Sequence, residues 1–253
     1  MNRGAIAWDD AGNIRFARLG WQERLLTSDR QPLNILQVNS GYVQAGVARY
    51  TPAWGANYQT LTDNEVIVVV RGDRVVNQYQ AAAAQSQQFP IPRDGYLLVI
   101  RSRGASPQVL APGTTLSLET QLTPAEFTDF PHIVGAGPLL VQNRQIVLNP
   151  RTEGFSTAFE RQAAPRSIIG RRADGTLVLA AFHGNGESRG PTLAQTAQML
   201  QSLGFTEALN LDGGSSTSLF LGDDLIDRDK STAARVHNGI GLYLSPSSLP
   251  GTN

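Results

Sequence analysis

Residues 208–218 read Ala-Leu-Asn-Leu-Asp-Gly-Gly-Ser-Ser-Thr-Ser, an apolar run that stops at an acid, two glycines and hydroxyl side chains. A short apolar run bounded by glycine predicts a buried strand. Gly213 and Gly214 can adopt backbone conformations closed to other residues, and they let a ligand approach the main chain closely. Because ligands of α/β proteins bind where strands end, we predict a catalytic or binding loop here.

Asp212 is the strongest candidate for chemistry within this loop. Its carboxylate can act as general base, acid, nucleophile or metal ligand, or it can order the glycines through an Asx turn. Asn210 either hydrogen-bonds a sugar hydroxyl or ties the loop down. Ser215, Ser216 and Thr217 either donate to phosphate oxygens, helped by backbone N–H groups if a helix begins there, or act as caps.

The chain before the loop predicts a strand, a helix and a second strand. Residues 176–182 form an apolar run that ends at a Gly-rich segment. Thr192 and Gln195 then fit a capping box, apolar residues follow at helical spacing, and Gly204 suits the C-terminal cap. This order predicts a right-handed parallel crossover between the two strands.

The first half of the chain reads as β-rich, with turn residues at 9–13 between the two strands of a hairpin. Residues 81–88 form either a short helix or a loose loop, and Pro124 opens a further short helix. Further strands are predicted at residues 33–38, 65–70 and 97–100. We therefore predict an α+β fold with a mixed sheet and few helices. Its parts are a β-rich region 1–130 integrated with a catalytic region 131–245, and a flexible tail 246–253.

The composition excludes several classes of protein. The 253 residues carry 21 basic and 21 acidic side chains, so the zero net charge gives no argument for nucleic acid as a partner. With no cysteine, disulfides and thiolate chemistry are impossible. No apolar run approaches the roughly 18 residues of a membrane span, and no signal peptide opens the chain.

Several segments together resemble the phosphodiester glycosidase family. The loop at 210–217, Asn-Leu-Asp-Gly-Gly-Ser-Ser-Thr, is similar to that family's Leu-Asn-Leu-Asp-Gly-Gly-Gly-Ser-Ser motif, with Ser215 in place of the third glycine. Four other segments follow the family's order over about half the chain: 135–141 (Gly-Ala-Gly-Pro-Leu-Leu-Val), 164–175 (Ala-Pro-Arg-Ser-Ile-Ile-Gly to Asp-Gly), 188–193 (Ser-Arg-Gly-Pro-Thr-Leu) and 235–240 (Arg-Val-His-Asn-Gly-Ile).

The chain departs from the family pattern at two places. No counterpart of the family's Asn-Gly-Gly-Phe-Phe-type segment is present, and residues 39–42 (Asn-Ser-Gly-Tyr) are at best its remnant. The family often has Asp-Gly where this chain has His183 and Gly184. These departures keep open the alternative of a glycan- or phosphate-binding module that has lost catalysis.

The resemblance implies hydrolysis of a sugar-1-phosphodiester, or of a related glycosidic bond in an envelope or exopolysaccharide glycan. It also implies an extracytoplasmic location. No cofactor is required on this reading, although the acidic cluster Asp223, Asp224, Asp227 and Asp229 could hold a divalent cation and is otherwise a solvated loop. The oligomeric state is left open.

Charged residues supply the remaining candidates. Arg166 enters an apolar strand and needs an anionic partner, either substrate phosphate or a carboxylate of Asp212 or Glu187. His183 is either a general acid or a hydrogen-bonded structural histidine. Asp174 and Glu187 are weak candidates for a second carboxylate, and a serine hydrolase using Ser216, His183 and Asp212 is a third reading. The predicted site comprises Asp212, His183 and Asn210 as catalytic residues, with substrate bound by Arg166, Gly213, Gly214, Ser215, Ser216, Thr217, Arg189, Gly137, Arg235 and Asn238.

Overall fold

The computed structural model describes residues 2–27, 32–101, 110–185, 189–236 and 238–243, and this part of the chain is built mainly of strands. The strands are β1 (Asn2–Trp8), β2 (Ile14–Thr27), β3 (Pro32–Val38), β4 (Gly46–Tyr50), β5 (Asn57–Gln59), β6 (Val66–Arg71), β7 (Arg74–Gln80), β8 (Gln88–Pro90), β9 (Gly95–Arg101), β10 (Leu116–Thr123), β11 (His132–Gly135), β12 (Leu139–Gln142), β13 (Gln145–Ile146), β14 (Arg166–Arg172), β15 (Leu177–Phe182), β16 (Phe205–Asn210), β17 (Phe220–Leu221) and β18 (Asp224–Leu225).

Helices are few in the described ranges. The α-helices are α1 (Thr157–Arg161) and α2 (Leu193–Ser202), and 3-10 turns occur at Pro52–Trp54, Ala125–Asp129, Pro150–Glu153, Gly214–Ser216 and Lys230–Thr232. Neither α-helix among these residues has the length and apolar character that a membrane crossing requires. The expectation of few helices is confirmed, and the fold is dominated by β-structure.

Two sheets form the body of the protein. The larger sheet has the order β11-β1-β2-β3-β4-β9-β6-β7, with β10 also pairing with β2. Its β3–β4 pair is parallel and its other pairs are antiparallel, so this sheet is mixed. The second sheet has the order β13-β12-β16-β14-β15 and is antiparallel throughout.

Local sequence signals set several of these elements. The β1–β2 hairpin is confirmed, and Asp9 closes its turn by accepting from the backbone N–H of Asn13 at 2.8 Å. The capping box is also confirmed, because the Thr192 side chain accepts from the backbone of Gln195 and the Gln195 side chain accepts from the backbone of Thr192. Residues 81–88 form no helix, and the segment after Pro124 is a 3-10 turn.

The parallel direction of the predicted crossover is confirmed, and a third strand lies between its two strands. β15 and β16 run in the same direction, but they are not neighbours, because β14 lies between them and is antiparallel to both. Helix α2 covers the sheet through Leu193, Ala197 and Leu200, which pack with Ile168 and Ala208. The sequence indicates a strand that begins at Arg166 but not its position between the other two, since pairing partners in a sheet are set by tertiary contacts.

The two sheets pack directly on one another. Ile6 and Phe16 of the large sheet share a buried cluster with Leu139, Ile169 and Leu209 of the second sheet. Strand β11, which begins just beyond the sequence-based boundary at residue 130, pairs with β1 in the large sheet. The proposed tail 246–253 lies outside the described residues.

A buried carboxylate joins the sheets. Glu153 is 1% exposed and accepts from the backbone N–H of Gly4 at 2.6 Å and of Leu139 at 3.1 Å. Its Oε1 also pairs with Arg18 Nε at 2.9 Å. One side chain therefore holds β1, β2 and β12 together, and every group facing its two oxygens is a donor.

We expect Glu153→Gln to lower the free energy of unfolding by about 3 kcal/mol, the scale of breaking a buried pair. The glutamine NH₂ would face donors, and Arg18 would lose its counter-charge. Urea unfolding of the variant measures the loss. The control is Glu126→Gln, because Glu126 is 60% exposed and lies 3.7 Å from Arg15, where about 0–1 kcal/mol is expected. Equal small losses in both variants would contradict a sheet-joining role.

Candidate functional site

Four chain segments meet at one end of the strands of the second sheet. β15 and β16 both finish there, β14 begins between them, and the segment before β12 runs alongside β16. His183 follows the last residue of β15, and Asp212 lies two residues beyond β16. Arg166 is the first residue of β14. Because β14 is antiparallel to β15 and β16, it begins where these two strands end.

The loop after β16 is docked along the start of β14. The backbone N–H of Leu211 donates to Ser167 O at 2.8 Å, and that of Gly214 donates to Pro165 O at 2.8 Å. These bonds continue the register in which Ile168 faces Asn210, and they bring residue 212 alongside Arg166. A Cβ on Gly213 would lie 2.7 Å from Pro165 O, so only glycine permits this approach.

Asp212 is exposed at the mouth of this loop. Its Oδ1 accepts from the backbone N–H of Gly213 at 3.0 Å, an arrangement that orders the turn. The residue is exposed, and no ion pair within the described ranges involves its carboxylate. The side chain can therefore contribute to the turn through one oxygen and remain available to a ligand through the other.

Asn210 is buried beneath the loop. Its Nδ2 donates to Gly137 O at 3.0 Å and to Leu211 O at 2.8 Å, and its backbone carbonyl accepts from Gly137 N at 2.9 Å. Gly137 has φ +108, and a Cβ there would meet Glu153 Oε2 at 2.6 Å. These bonds favour the role of Asn210 and Gly137 in tying the loop down.

Arg166 is buried and bound to main-chain carbonyls in the described structure. It is 1% exposed, and its guanidinium donates to the backbone carbonyls of Gln162 and Pro191 and lies over the Phe159 ring. None of the described carboxylates forms an ion pair with it, and burial lowers the pKa of the guanidinium. The predicted salt bridge to Asp212 is therefore not formed, and Glu187 lies outside the described residues. Arg166 supports the loops around the site from below.

The hydroxyl residues follow in a short 3-10 turn. No α-helix begins there that could offer backbone N–H groups to phosphate, since the 3-10 turn covers only Gly214–Ser216. The backbone N–H groups of Ser216 and Thr217 donate to Gly213 O and Gly214 O, so they are already used inside the chain. Ser215 is exposed, whereas Thr217 is buried. A ligand at this turn would thus meet hydroxyls rather than a helix N-terminus.

Arg228 fixes this turn and was not singled out from the sequence. Its Nη1 donates to the carbonyls of Gly214 at 2.9 Å, Ser215 at 3.2 Å and Thr217 at 2.9 Å. Its Nε donates to Thr232 Oγ1 at 3.0 Å. The only sequence signal was its place inside the acidic run, which gave no hint of these contacts.

His183 pairs with Asp227 and not with Asp212. The distance between Nε2 and Asp227 Oδ2 is 2.8 Å, and Asp227 Oδ1 accepts from the backbone N–H of Leu219 at 2.8 Å. The described hydrogen bonds contain none between Ser216 and His183. A triad of Ser216, His183 and Asp212 is therefore not formed in this structure.

The acidic run 223–229 separates into individual structural roles. Asp227 binds His183, and Asp229 caps the turn at 230–232 by accepting from Ser231 N at 2.8 Å. Within the described residues, no group of three or more His, Cys, Asp or Glu side chains could hold a metal ion. Asp174, a weak candidate for a second carboxylate, orders the hairpin turn between β14 and β15, at the opposite end of β14 from Arg166.

The exposed arginines lie on segments next to the loop. Arg235 follows Ala234, whose backbone N–H donates to Ser215 O at 2.8 Å. Arg189 precedes Gly190, where a Cβ would meet Ala164 O at 2.5 Å. Asn238 is exposed two residues before Ile240, which packs against the cluster containing Leu209. His237 of the same motif lies outside the described residues.

Comparison with known proteins assigns this arrangement to a family. The model of the phosphodiester glycosidase family matches residues 64–243, more than half of the chain. The chain belongs to the phosphodiester glycosidase family. The match includes the loop at 210–217 and every predicted site residue.

Two named relatives share about a quarter of their residues with this chain over the matched region. The chain is 26% identical to the mouse N-acetylglucosamine-1-phosphodiester alpha-N-acetylglucosaminidase over 166 residues, which are 62% of this chain and 29% of that protein. It is 28% identical to the bovine enzyme of the same name over 166 residues, 62% of this chain and 28% of that protein. The chain thus matches less than a third of the length of either relative.

A solved structure supports the fold over nearly the whole chain. A hypothetical protein from Synechocystis is 50% identical, with a TM-score of 0.79, over 93% of this chain and 44% of that chain. Its description names no activity.

Proposed function

We propose that this chain hydrolyses a sugar-1-phosphodiester, or a related glycosidic bond in an envelope or exopolysaccharide glycan. The observation that carries the proposal is the exposed carboxylate of Asp212 on a rigidly docked loop, in a chain of the phosphodiester glycosidase family. We further propose an extracytoplasmic location, which rests on the family resemblance.

The chemistry requires a negative charge near the anomeric carbon. As the bond to the leaving oxygen lengthens, the sugar gains oxocarbenium character, which a nearby carboxylate stabilises. Asp212 supplies this carboxylate. A phosphate leaving group carries its own charge away and needs less protonation than an alcohol, so a second carboxylate is not essential.

The leaving phosphate needs cationic donors that solvent-borne substrate can reach. Arg235 and Arg189 meet this requirement, since both are exposed and neither forms an ion pair in the described part of the chain. Ser215 adds an exposed hydroxyl three residues after Asp212. Arg166 acts differently, because its buried donors already bind main-chain carbonyls.

A non-catalytic binding module is the second candidate. The absent Asn-Gly-Gly-Phe-Phe-type segment favours it, because a site lacking that segment can retain affinity without turnover. Purified protein that binds a sugar-1-phosphodiester and does not cleave it would support this candidate over hydrolysis.

Asp212→Asn is the direct test of the proposed carboxylate. Asparagine keeps an oxygen that accepts from Gly213, so the loop should stay folded while turnover falls about 10²–10⁴-fold. Initial rates on a sugar-1-phosphodiester and a thermal melt measure the two effects. Asp174→Asn, at the far end of β14, serves as control and should retain the rate. Unchanged turnover with a lower melting temperature would leave Asp212 with only the role of ordering the turn.

The two kinds of arginine should respond differently to substrate charge. We expect Arg235→Ala to lower kcat/KM for a sugar-1-phosphodiester about 10- to 100-fold, the value of a charge-assisted hydrogen bond, and to spare the aryl glycoside of the same sugar. Arg166→Lys should impair both substrates alike and lower the melting temperature, because lysine cannot replace the guanidinium geometry.

Parallel kinetics on the two substrates measure the difference. Arg24→Ala is the control, because Arg24 is exposed and pairs only with Glu119 in the described structure. An equal loss on both substrates in Arg235→Ala would remove its phosphate-binding role.

A further inference from the structure

His183 is held by a nearly buried carboxylate from a distant part of the chain. Its Nε2 lies 2.8 Å from Asp227 Oδ2, across 44 residues of sequence. The Asp227 side chain is 6% exposed and the His183 side chain 26% exposed. The other oxygen, Oδ1, accepts from the backbone N–H of Leu219 at 2.8 Å, so the carboxylate cannot rotate without losing a bond.

This contact determines which ring nitrogen carries the proton. An ionised carboxylate only accepts hydrogen bonds, so a neutral His183 must carry its hydrogen on Nε2. The lone pair is then on Nδ1, for which the described residues provide no hydrogen-bond donor. His183 therefore presents a basic nitrogen on a ring that is partly open to solvent.

Two consecutive residues, Asp227 and Arg228, connect this histidine to the Asp212 loop. Asp227 binds His183, and the next residue, Arg228, binds three carbonyls of the segment 214–217. His183 and Asp212 also follow parallel strands that end at one edge of the sheet. The imidazole and the candidate carboxylate are thus fixed in a common frame.

We propose that Asp227 is a positioning residue that holds His183 as the general base for water, an inference that rests on the proposed glycosidic hydrolysis. His183 Nδ1 takes a proton from the water whose oxygen bonds to the anomeric carbon. The bond from that carbon to the phosphate oxygen breaks, and its electron pair leaves with the phosphate. Asp227 stabilises the imidazolium, which then returns its proton to solvent, while Asp212 stabilises the positive charge on the sugar.

Asp227→Asn tests this proposal by replacing one carboxylate oxygen with an NH₂ group. Because Leu219 N–H keeps the amide oxygen on its side, the NH₂ group must face His183 and donate to Nε2. The histidine would be forced into the tautomer with hydrogen on Nδ1 and would lose its basic nitrogen. We expect kcat to fall about 10²–10⁴-fold with little change in KM.

The tautomer is measured without substrate, by long-range ¹H–¹⁵N correlation spectra of the imidazole. The spectra should report Nε2–H in the wild type and Nδ1–H in Asp227→Asn. Asp224→Asn is the matched control, an exposed acid on the same hairpin, and should change neither kcat nor the tautomer. His183→Asn should lose as much activity as Asp227→Asn, and the double variant should lose no more than His183→Asn alone.

The outcomes separate this proposal from the function on which it rests. Nδ1–H in the wild type, or an unchanged kcat in a variant whose tautomer has switched, would overturn the positioning role. If the wild type binds a sugar-1-phosphodiester without cleaving it, the general-base role and the hydrolytic function both fail. If Asp227→Asn does not fold, an unaltered kcat in His183→Asn would still overturn the proposal.

Discussion

The carboxylate of Glu153 is the interaction on which the arrangement of the site depends. It is enclosed between the two sheets and neutralised by Arg18 and by the backbone N–H groups of Gly4 and Leu139. A buried charge is tolerated only when it is compensated in this way. A Cβ on Gly137 would lie 2.6 Å from Glu153 Oε2, and the N–H of Gly137 donates to Asn210 O, so this glycine links the sheet contact to the start of the Asp212 loop.

The site itself divides into a buried support and an exposed working surface. Asn210 and Arg166 are each 1% exposed and use their donors on main-chain carbonyls. Asp212, Ser215 and Arg235 lie above them and are exposed. Such support is what catalysis by positioning requires, because a carboxylate that stabilises a transition state must already be in place.

The sequence predicted structural features that depend on local contacts and features that carry a family motif. The Thr192–Gln195 capping box and the hairpin turn at residues 9–13 depend on neighbours within a few residues, and the loop at 210–217 was recognised from its family motif. The position of β14 between β15 and β16 could not be predicted, because register is chosen by packing. Glu153 and Arg228 were missed for the same reason, since their partners lie far away in the sequence or belong to the main chain.

Two predictions depended on side chains whose partners only the fold reveals. Arg166 was expected to need an anion, and burial was correctly taken as the problem. Among the described residues, the guanidinium binds two carbonyls and lies over the Phe159 ring, and burial lowers its pKa. Asp227 was assigned to a loose acidic cluster, whereas it is the partner of His183.

We propose that a sugar-1-phosphodiester is bound and cleaved at the Asp212 loop. A crystal structure of the Asp212→Asn variant with an intact sugar-1-phosphodiester would show where the substrate binds. We expect the anomeric carbon beside residue 212, the phosphate against Ser215 and Arg235, and the ring of His183 within one water of the anomeric carbon. A substrate bound elsewhere on the protein, for example in the groove of roughly 690 Å³ lined by Tyr79, Phe89 and Arg93, would contradict it.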